Sequence, residues 1–169
     1  MSHPENKVEW CLKKGEKEMK DGKHKGLVRI KPDAARARQH IEKAEHNLKL
    51  MLSLKGTEFS DWCSSAAFYA AYHSLLAILA KFGYESRNQE CTFALISSMA
   101  EKGTINFDAA LLENIAKIEP EKNAEMETIT EIREQYQYGI KLSMEDKTYE
   151  ELAEIAKKIL GESKRILEE

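Results

Sequence analysis

The stretch 60-SDWCSSAAFYAAYHSLLAILAKFGY-84 decides how this chain folds. Between its ends it has only two charged residues, Asp61 and Lys81, and apolar or small residues would occupy nearly every face of a helix. Such a helix is typical of the centre of a bundle. Ser60 is a suitable N-cap, and Gly83 a suitable stop because glycine accepts the left-handed turn that ends many helices. The length would suffice to cross a bilayer, but the Ser, His, Tyr and Asp content argues against that. We therefore expect 60–82 to be the most buried helix of an all-α bundle.

Three polar residues within this helix have helical spacing. Tyr69 and His73 are four residues apart and share a face, and Tyr72 lies close to it. One interpretation is that they are core residues whose polar tips are satisfied. The other is that His73 lines a cleft or a subunit interface.

The chain length of 169 residues predicts one domain, and the formal net charge is −3. This weakly acidic balance gives no global field for nucleic acid, so a phosphate site would have to be local. Cys11, Cys63 and Cys91 are widely spaced and odd in number, which predicts neither a disulfide framework nor a zinc site. A reducing cytoplasm fits this pattern. The polar N-terminus lacks a signal-peptide core, so we expect a cytoplasmic location and no membrane.

Residues 1–32 are predicted to be an extension, and residues 33–169 the bundle. Pro4 is placed to start a helix that ends near Met19. A basic loop follows, with Lys20, Lys23, His24, Lys25, Arg29 and Lys31. Such a charge run is usually solvated, although it is also able to contact phosphate. The short run LVRI that follows is β-like without being a firm strand.

Amphipathic patterns predict five more helices in the bundle. Asp33 is the expected N-cap of a helix to Lys55. Later helices are expected over about 90–100, around 111–118 with an interruption at Pro120, over 121–142, and from Asp146 or Thr148 to the C-terminus. No glycine-rich phosphate loop is found, and we expect no cofactor. The spacing of Glu42 and His46 is that of a metal half-site, but no further ligand is evident, so we expect no metal.

Three segments together resemble the HEPN domain family of small helical bundles. They are HIEKAEHNLKL at 40–50, YAAYHSLLAILAKFGYES at 69–86, and REQYQYG at 133–139. The resemblance covers about residues 33–169 and is most specific in the second segment. It implies an up-and-down bundle of four or five helices, usually a homodimer. Many members are metal-independent RNases, and others are toxins paired with small nucleotidyltransferases, or nucleotide-binding modules.

The nuclease motif that the resemblance implies is an arginine followed, after four to six residues, by a histidine on the late helix. Arginine holds the phosphate and stabilises developing charge, and histidine moves the 2′-hydroxyl proton. Here Arg133 is followed by Tyr138, and no histidine occurs after His73. Because an unperturbed tyrosine has a pKa of about 10, Tyr138 is a poor general base at neutral pH. It remains able to hydrogen-bond a phosphate or stack on a base.

The expected phosphate-binding residues are therefore Arg133, Tyr138, Arg87 and His73. The alternative to a phosphate-binding role for Arg133 is a structural one, a surface ion pair, for instance with Glu134. The first functional hypothesis is a dimeric nucleotide- or RNA-binding protein, or the partner of a nucleotidyltransferase, with weak or no cleavage. The second is an RNase that combines Arg133 with His73, His40 or His46. The third is a non-catalytic helical interaction protein.

Overall fold

The computed structural model describes residues 2–24, 26–117 and 127–169, and helices dominate them. They are α1 (His3–Lys20), α2 (Ala34–Leu54), α3 (Cys63–Lys81), α4 (Gln89–Glu101), α5 (Ala109–Ile115), α6 (Ile129–Tyr138) and α7 (Asp146–Glu168). A short antiparallel pair, β1 (Leu27–Arg29) and β2 (Tyr84–Ser86), joins the segment after α1 to the segment after α3. The predicted helical bundle is confirmed.

Helix α3 is the central element, and α2, α4, α6 and α7 pack around it. Its largest fully buried side chains include Phe68, Leu75, Ile78 and Leu79. The span Ser60–Lys81 is long and apolar enough to cross a membrane, but 83% of its apolar window is buried inside the bundle, as in a core helix.

The start of α3 differs from the prediction. Ser60–Trp62 forms a 3₁₀ turn ahead of Cys63, and the Ser60 hydroxyl does not cap the helix. Instead it accepts a hydrogen bond from the backbone N–H of Met144, at 3.0 Å. The serine was expected to serve its own helix, but it ties α3 to the segment before α7.

Helices α2 and α3 form an antiparallel hairpin. The Asp33 carboxylate caps α2, as predicted, by accepting from the backbone N–H of Arg36 at 2.9 Å. Gly56 provides the turn between the helices with a φ of 70°. The Cys63 thiol donates to the backbone carbonyl of Met51, which fixes the register near the turn.

A disulfide bond links α1 to α4. Cys11 of α1 and Cys91 of α4 form a disulfide, so the expectation of no disulfide was wrong. Their sequence separation of 80 residues hid the pairing, which arises because α1 packs along α4. Gly15 allows β1 to approach α1, since a Cβ there would lie 2.1 Å from the Leu27 carbonyl oxygen.

Side-chain caps define the later helices, and some bounds differ from the prediction. Asn88, Asp108 and Thr128 cap α4, α5 and α6, and the Thr128 cap is a capping box with Glu131. Helix α6 ends at Tyr138 rather than Leu142. Gly139 still donates its N–H to the Gln135 carbonyl, but its own backbone is extended, with a ψ of −171°. The predicted features at Lys25, Ile118, Pro120 and Glu121 lie outside the described residues.

Candidate functional site

One line of α3 is not fully covered by its neighbours, and we call it the α3 strip: Ser65, Tyr69 and His73. These residues follow each other at four-residue intervals, so they lie on one helix face. Ser65 and His73 are half-buried, and Tyr69 is the most open of the three, with 43% of its surface exposed. The interpretation of Tyr69 and His73 as ordinary core residues is therefore too simple, because both reach the surface.

Arg133 of α6 flanks one side of the α3 strip. Its guanidinium carbon lies 3.9 Å from the centre of the Phe68 ring, and the residue is only 8% exposed. The Phe68 ring in turn meets Tyr69 edge-on at 5.2 Å and stacks on Tyr72 at 5.7 Å. The arginine is thus held on an aromatic face beside the exposed tyrosine.

The charge of Arg133 has little compensation from the described residues. Its closest described carboxylate is that of Glu134, at 4.0 Å, and its Nε is buried with no hydrogen-bond partner among them. The surface ion pair considered from the sequence is therefore weak. An anion beside this guanidinium would satisfy a donor that is already desolvated.

His40 of α2 flanks the other side of the strip and contacts His73. The two Nδ1 atoms lie 3.0 Å apart, so one ring donates an N–H and the other accepts it. Burial lowers the pKa of His40, with Arg36 adding to the effect. Burial, followed by His40 and Lys43, lowers the pKa of His73 to about 4. Both rings are consequently neutral at neutral pH.

A charged cluster lies at the end of the strip near β2. The Glu85 carboxylate is 2.8 Å from Arg36 and 3.8 Å from Arg87. The Nε2 of His24 approaches it to 3.2 Å, without hydrogen-bonding geometry. Beside this cluster is a cavity of about 180 Å³ lined by Arg36, His40, Leu76, Ala80, Tyr84, Glu85, Ser86 and Arg87. Two arginines share one carboxylate there, which leaves the rim positive.

The structure brings some of the predicted site residues to this region. His73 belongs to the α3 strip, Arg133 lies beside the strip on Phe68, and Arg87 lines the cavity. Tyr138 differs, because it is 78% exposed at the last residue of α6 whereas Arg133 points into the bundle. The five-residue step between them corresponds to about 140° on a helix, which agrees with these different environments.

Several residues of the site were not identified from the sequence as parts of it. Phe68 was not recognised as the platform for Arg133, and His40 and His73 were named separately rather than as a pair. A signal for the pairing exists, since His40 and His73 are equidistant from the hairpin turn at Gly56–Thr57. Residues placed symmetrically about a short turn meet across two antiparallel helices.

Within the described parts of the chain, no group of three or more His, Cys, Asp or Glu side chains is arranged to hold a metal ion. The polar groups of the region are instead two imidazoles, an exposed phenol and several cations. This set suits the recognition of a phosphate and an aromatic base.

Comparison with known protein families supports the resemblance stated for the three segments quoted above. No curated protein matches the chain. The sequence pattern of the HEPN domain matches residues 37–166, which is most of the chain and includes α3, α6 and both histidines. This protein belongs to the HEPN domain family.

Proposed function

We propose that this HEPN protein binds a nucleotide or RNA across the α3 strip, with its phosphate at Arg133. HEPN membership supports a nucleotide- or RNA-related function in general. The observation that carries the finer proposal is the buried Arg133 guanidinium lying on Phe68, next to the exposed Tyr69.

The chemistry of the α3 strip fits the two halves of a nucleotide. A guanidinium binds phosphate oxygens through paired hydrogen bonds, and Arg133 has its Nε free of partners among the described residues. An exposed tyrosine offers a face on which a base of any identity can stack. Since Tyr69 touches the same Phe68 ring as Arg133, one bound nucleotide is able to contact both.

Cleavage by the late helix is expected to be weak or absent. Tyr138 stands in place of the motif histidine, and a phenol lacks the ability of an imidazole to exchange a proton near neutral pH. An RNase that combines Arg133 with a histidine from another helix is a second candidate. The observation that favours it is that His73 belongs to the strip that Arg133 flanks.

Binding of a labelled oligoribonucleotide and a labelled mononucleotide, measured by fluorescence anisotropy, tests the proposal. Arg133→Ala should weaken binding about 10- to 100-fold, because a hydrogen-bonded charge contributes roughly 1.5–3 kcal/mol. Arg38→Ala removes an exposed arginine of α2 and serves as the matched control. Tyr138→Phe shows whether that hydroxyl takes part. Equal affinity of wild type and Arg133→Ala would favour the third hypothesis, a helical interaction protein.

We further propose a protein partner of the nucleotidyltransferase type, in a toxin–antitoxin pair. This rests on the family resemblance, in which HEPN proteins accompany small nucleotidyltransferases. Co-expression with a nucleotidyltransferase encoded beside the gene, followed by affinity purification through one tagged chain, tests it. Recovery of the HEPN protein alone, at full yield, would oppose the pairing.

A further inference from the structure

We propose that the outward side of α1 is a docking surface for single-stranded RNA. All five lysines of α1 lie on this side together with an exposed tryptophan, and we call it the α1 basic face: Lys7, Trp10, Lys13, Lys14, Lys17 and Lys20. Helix α1 ends before residue 37, where the HEPN pattern begins. The surface goes beyond the proposed function, because it includes none of the residues at the α3 strip.

Charge is segregated around α1. At about 100° per residue, the five lysines and Trp10 fall within an arc of about 140°, roughly opposite the side that packs on α4. The four glutamates of α1 lie outside that arc. Residues 1–36 contain ten Lys or Arg and six Asp or Glu, a net charge of +4, whereas residues 37–169 have −7. Positive charge is thus concentrated outside the HEPN pattern, and a local field of this kind attracts a polyanion.

The lysines of the α1 basic face are only loosely paired. Three of them approach carboxylates at the edges of the face: Lys7 and Glu90 at 2.9 Å, Lys13 and Glu9 at 3.8 Å, and Lys14 and Glu18 at 3.9 Å. Solvent-exposed pairs of this kind contribute little to stability, so a phosphate can replace the carboxylate. Lys17 and Lys20 are exposed and belong to no ion pair of the described residues.

Trp10 lies in the middle of the α1 basic face, and 52% of its surface is exposed. The Nζ atoms of Lys7 and Lys14 each lie 5.0 Å from the centre of its ring. Because such contacts are weak at exposed sites, an unpaired base is able to displace an ammonium from the ring. The displaced ammonium then lies close to the phosphates of the stacked nucleotide. Aromatic rings among basic side chains are how proteins bind single strands without reading their sequence.

A phospholipid surface is the other polyanion to consider, and the shape of α1 disfavours it. A helix that lies in a membrane interface turns a broad apolar side towards the lipid. The apolar side of α1, with Val8, Cys11 and Leu12, packs against the protein core instead. Trp10 is the single large apolar residue among the lysines. The face is about 20 Å long from Lys7 to Lys20, at about 1.5 Å per residue, so several nucleotides fit along it.

The test uses the full chain and compares three probes. The first is a labelled oligouridylate of about 12 nucleotides, within the usual size range of single-strand sites. The second is a labelled uridine monophosphate, and the third is a vesicle of phosphatidylcholine and phosphatidylglycerol. Fluorescence anisotropy measures binding of the labelled probes, and cosedimentation measures binding to the vesicles.

The variants change exposed side chains and leave the contact between α1 and α4 in place. Trp10→Ala removes the aromatic ring, and Trp10→Phe keeps one. Lys14→Gln/Lys17→Gln removes two positive charges. Lys157→Gln/Lys158→Gln removes two exposed lysines of α7 and is the matched control.

Stacking and phosphate contacts predict different effects in these variants. Trp10→Ala should bind the oligouridylate about 5- to 100-fold more weakly, and Trp10→Phe should bind it much as wild type does. Lys14→Gln/Lys17→Gln should lower the slope of log affinity against log salt by about 1.4, since each phosphate contact contributes about 0.7. The α7 control should keep the affinity and slope of wild type. Binding of uridine monophosphate should be unchanged in all four variants, because its proposed site is at Arg133.

The emission of Trp10 reports stacking directly. The chain has two tryptophans, so Trp62→Phe leaves Trp10 as the single emitter. Oligouridylate should quench its fluorescence as a base stacks on the ring. Absence of quenching at saturating oligouridylate would contradict stacking on Trp10.

The remaining outcomes separate the docking surface from the proposed function. If Trp10→Ala and Lys14→Gln/Lys17→Gln bind the oligouridylate like wild type, or if wild type does not bind it, the docking surface is overturned. A loss of uridine monophosphate binding in Arg133→Ala would still support the proposed function in either case. Weaker oligouridylate binding in the α1 variants, with no effect of Arg133→Ala on either probe, would support the docking surface and remove the proposed function. Vesicle binding that the α1 variants abolish, without any effect on the oligouridylate, would replace RNA by a membrane surface.

Discussion

Arg133 is a buried charged residue whose Nε has no hydrogen-bond partner among the described residues. A guanidinium stays charged at every accessible pH, so its burial must be compensated by neighbours. The face of Phe68, at 3.9 Å, supplies an attraction of about 2 kcal/mol when desolvated. The Phe68 ring does not accept a hydrogen bond from the Arg133 Nε–H, which has no partner among the described residues. An anionic oxygen would accept it.

Tyr69 should contribute to binding through its ring rather than its hydroxyl. We expect Tyr69→Ala to weaken binding of an oligoribonucleotide about 5- to 100-fold, because stacking on one aromatic contributes about 1–3 kcal/mol per base. Tyr69→Phe keeps the ring and should bind like wild type. Fluorescence anisotropy measures both, and a loss of affinity in Tyr69→Phe equal to that in Tyr69→Ala would oppose stacking.

His73 should make the folded state sensitive to acid. Its pKa is lowered to about 4 in the folded chain, from about 6.5 when unfolded. The unfolded state therefore binds more protons below pH 6.5, and stability falls as the pH drops from 6.5 towards 4. Urea unfolding at pH 7 and pH 5 should show a smaller decrease for His73→Asn than for wild type. A decrease of equal size in both proteins would contradict the assignment.

At the scale of single residues, the sequence predicted which residues belong to the candidate site better than it predicted what they contact. Arg133 and His73 could be named because an arginine and a histidine in the family's segments are chemically distinctive. The contact between Arg133 and the Phe68 ring could not be predicted. Phe68 is 65 residues away from Arg133 in the sequence, and its apolar surroundings there are those of an ordinary core residue. Nor could a local pattern reveal the Cys11–Cys91 bond, which depends on how α1 lies on α4.

The α2–α3 hairpin is the element that builds the site, because it brings His40 against His73 and buries the rest of α3. The cap at Asp33 was predicted, because it satisfies an amide of its own helix, and the caps at Asn88 and Asp108 are local contacts of the same kind. The end of α6 was not predicted, because the apolar residues Ile140 and Leu142 continue a helical pattern beyond Gly139. They are exposed instead of packed.

Truncation of Leu76 probes whether the hairpin is packed as described. Leu76 is buried in α3 but also lines the cavity beside His40. Leu76→Ala should lower the free energy of unfolding by about 2–3 kcal/mol, at the lower end of the range for buried leucines, because the cavity already lacks some contacts. Leu50→Ala, on the exposed face of α2, should change it by less than about 0.5 kcal/mol. Chemical denaturation that gives equal effects would place Leu76 at the surface.

The disulfide should stabilise the attachment of α1. Cross-linking residues 80 positions apart restricts the unfolded chain, and such bonds typically contribute about 2–4 kcal/mol. The double variant Cys11→Ala/Cys91→Ala should unfold at lower urea concentration than oxidised wild type and be insensitive to reductant. Cys63→Ala, which changes the free buried cysteine, should keep the sensitivity to reductant. Wild type with the same midpoint in both redox states would argue against a bond that stabilises the fold.

On the scale of the whole molecule, apolar side chains remain exposed at one end of the bundle. They belong to the segment just before α3 and to the end of α6 with the residues that follow it, and a hydrogen bond from Met144 to Ser60 links the two regions. The members are Phe59, Trp62, Tyr138, Ile140 and Leu142, and we call them the apolar end. Ile140 is 96% exposed. Several large apolar residues exposed together are typical of an association surface.

We expect a second copy of the chain to cover the apolar end. The family resemblance implies a homodimer, and the enrichment of aromatic residues in such interfaces favours a contact near Tyr136 and Tyr138 of α6. Sedimentation equilibrium should therefore give twice the chain mass at micromolar concentration. The double variant Ile140→Asp/Leu142→Asp should give the monomer mass, because a carboxylate buried without a partner opposes association. Met19→Asp, which changes an exposed apolar residue of α1, should leave the dimer intact. A wild type that stays monomeric at high micromolar concentration would contradict the dimer and leave the apolar end to a different protein.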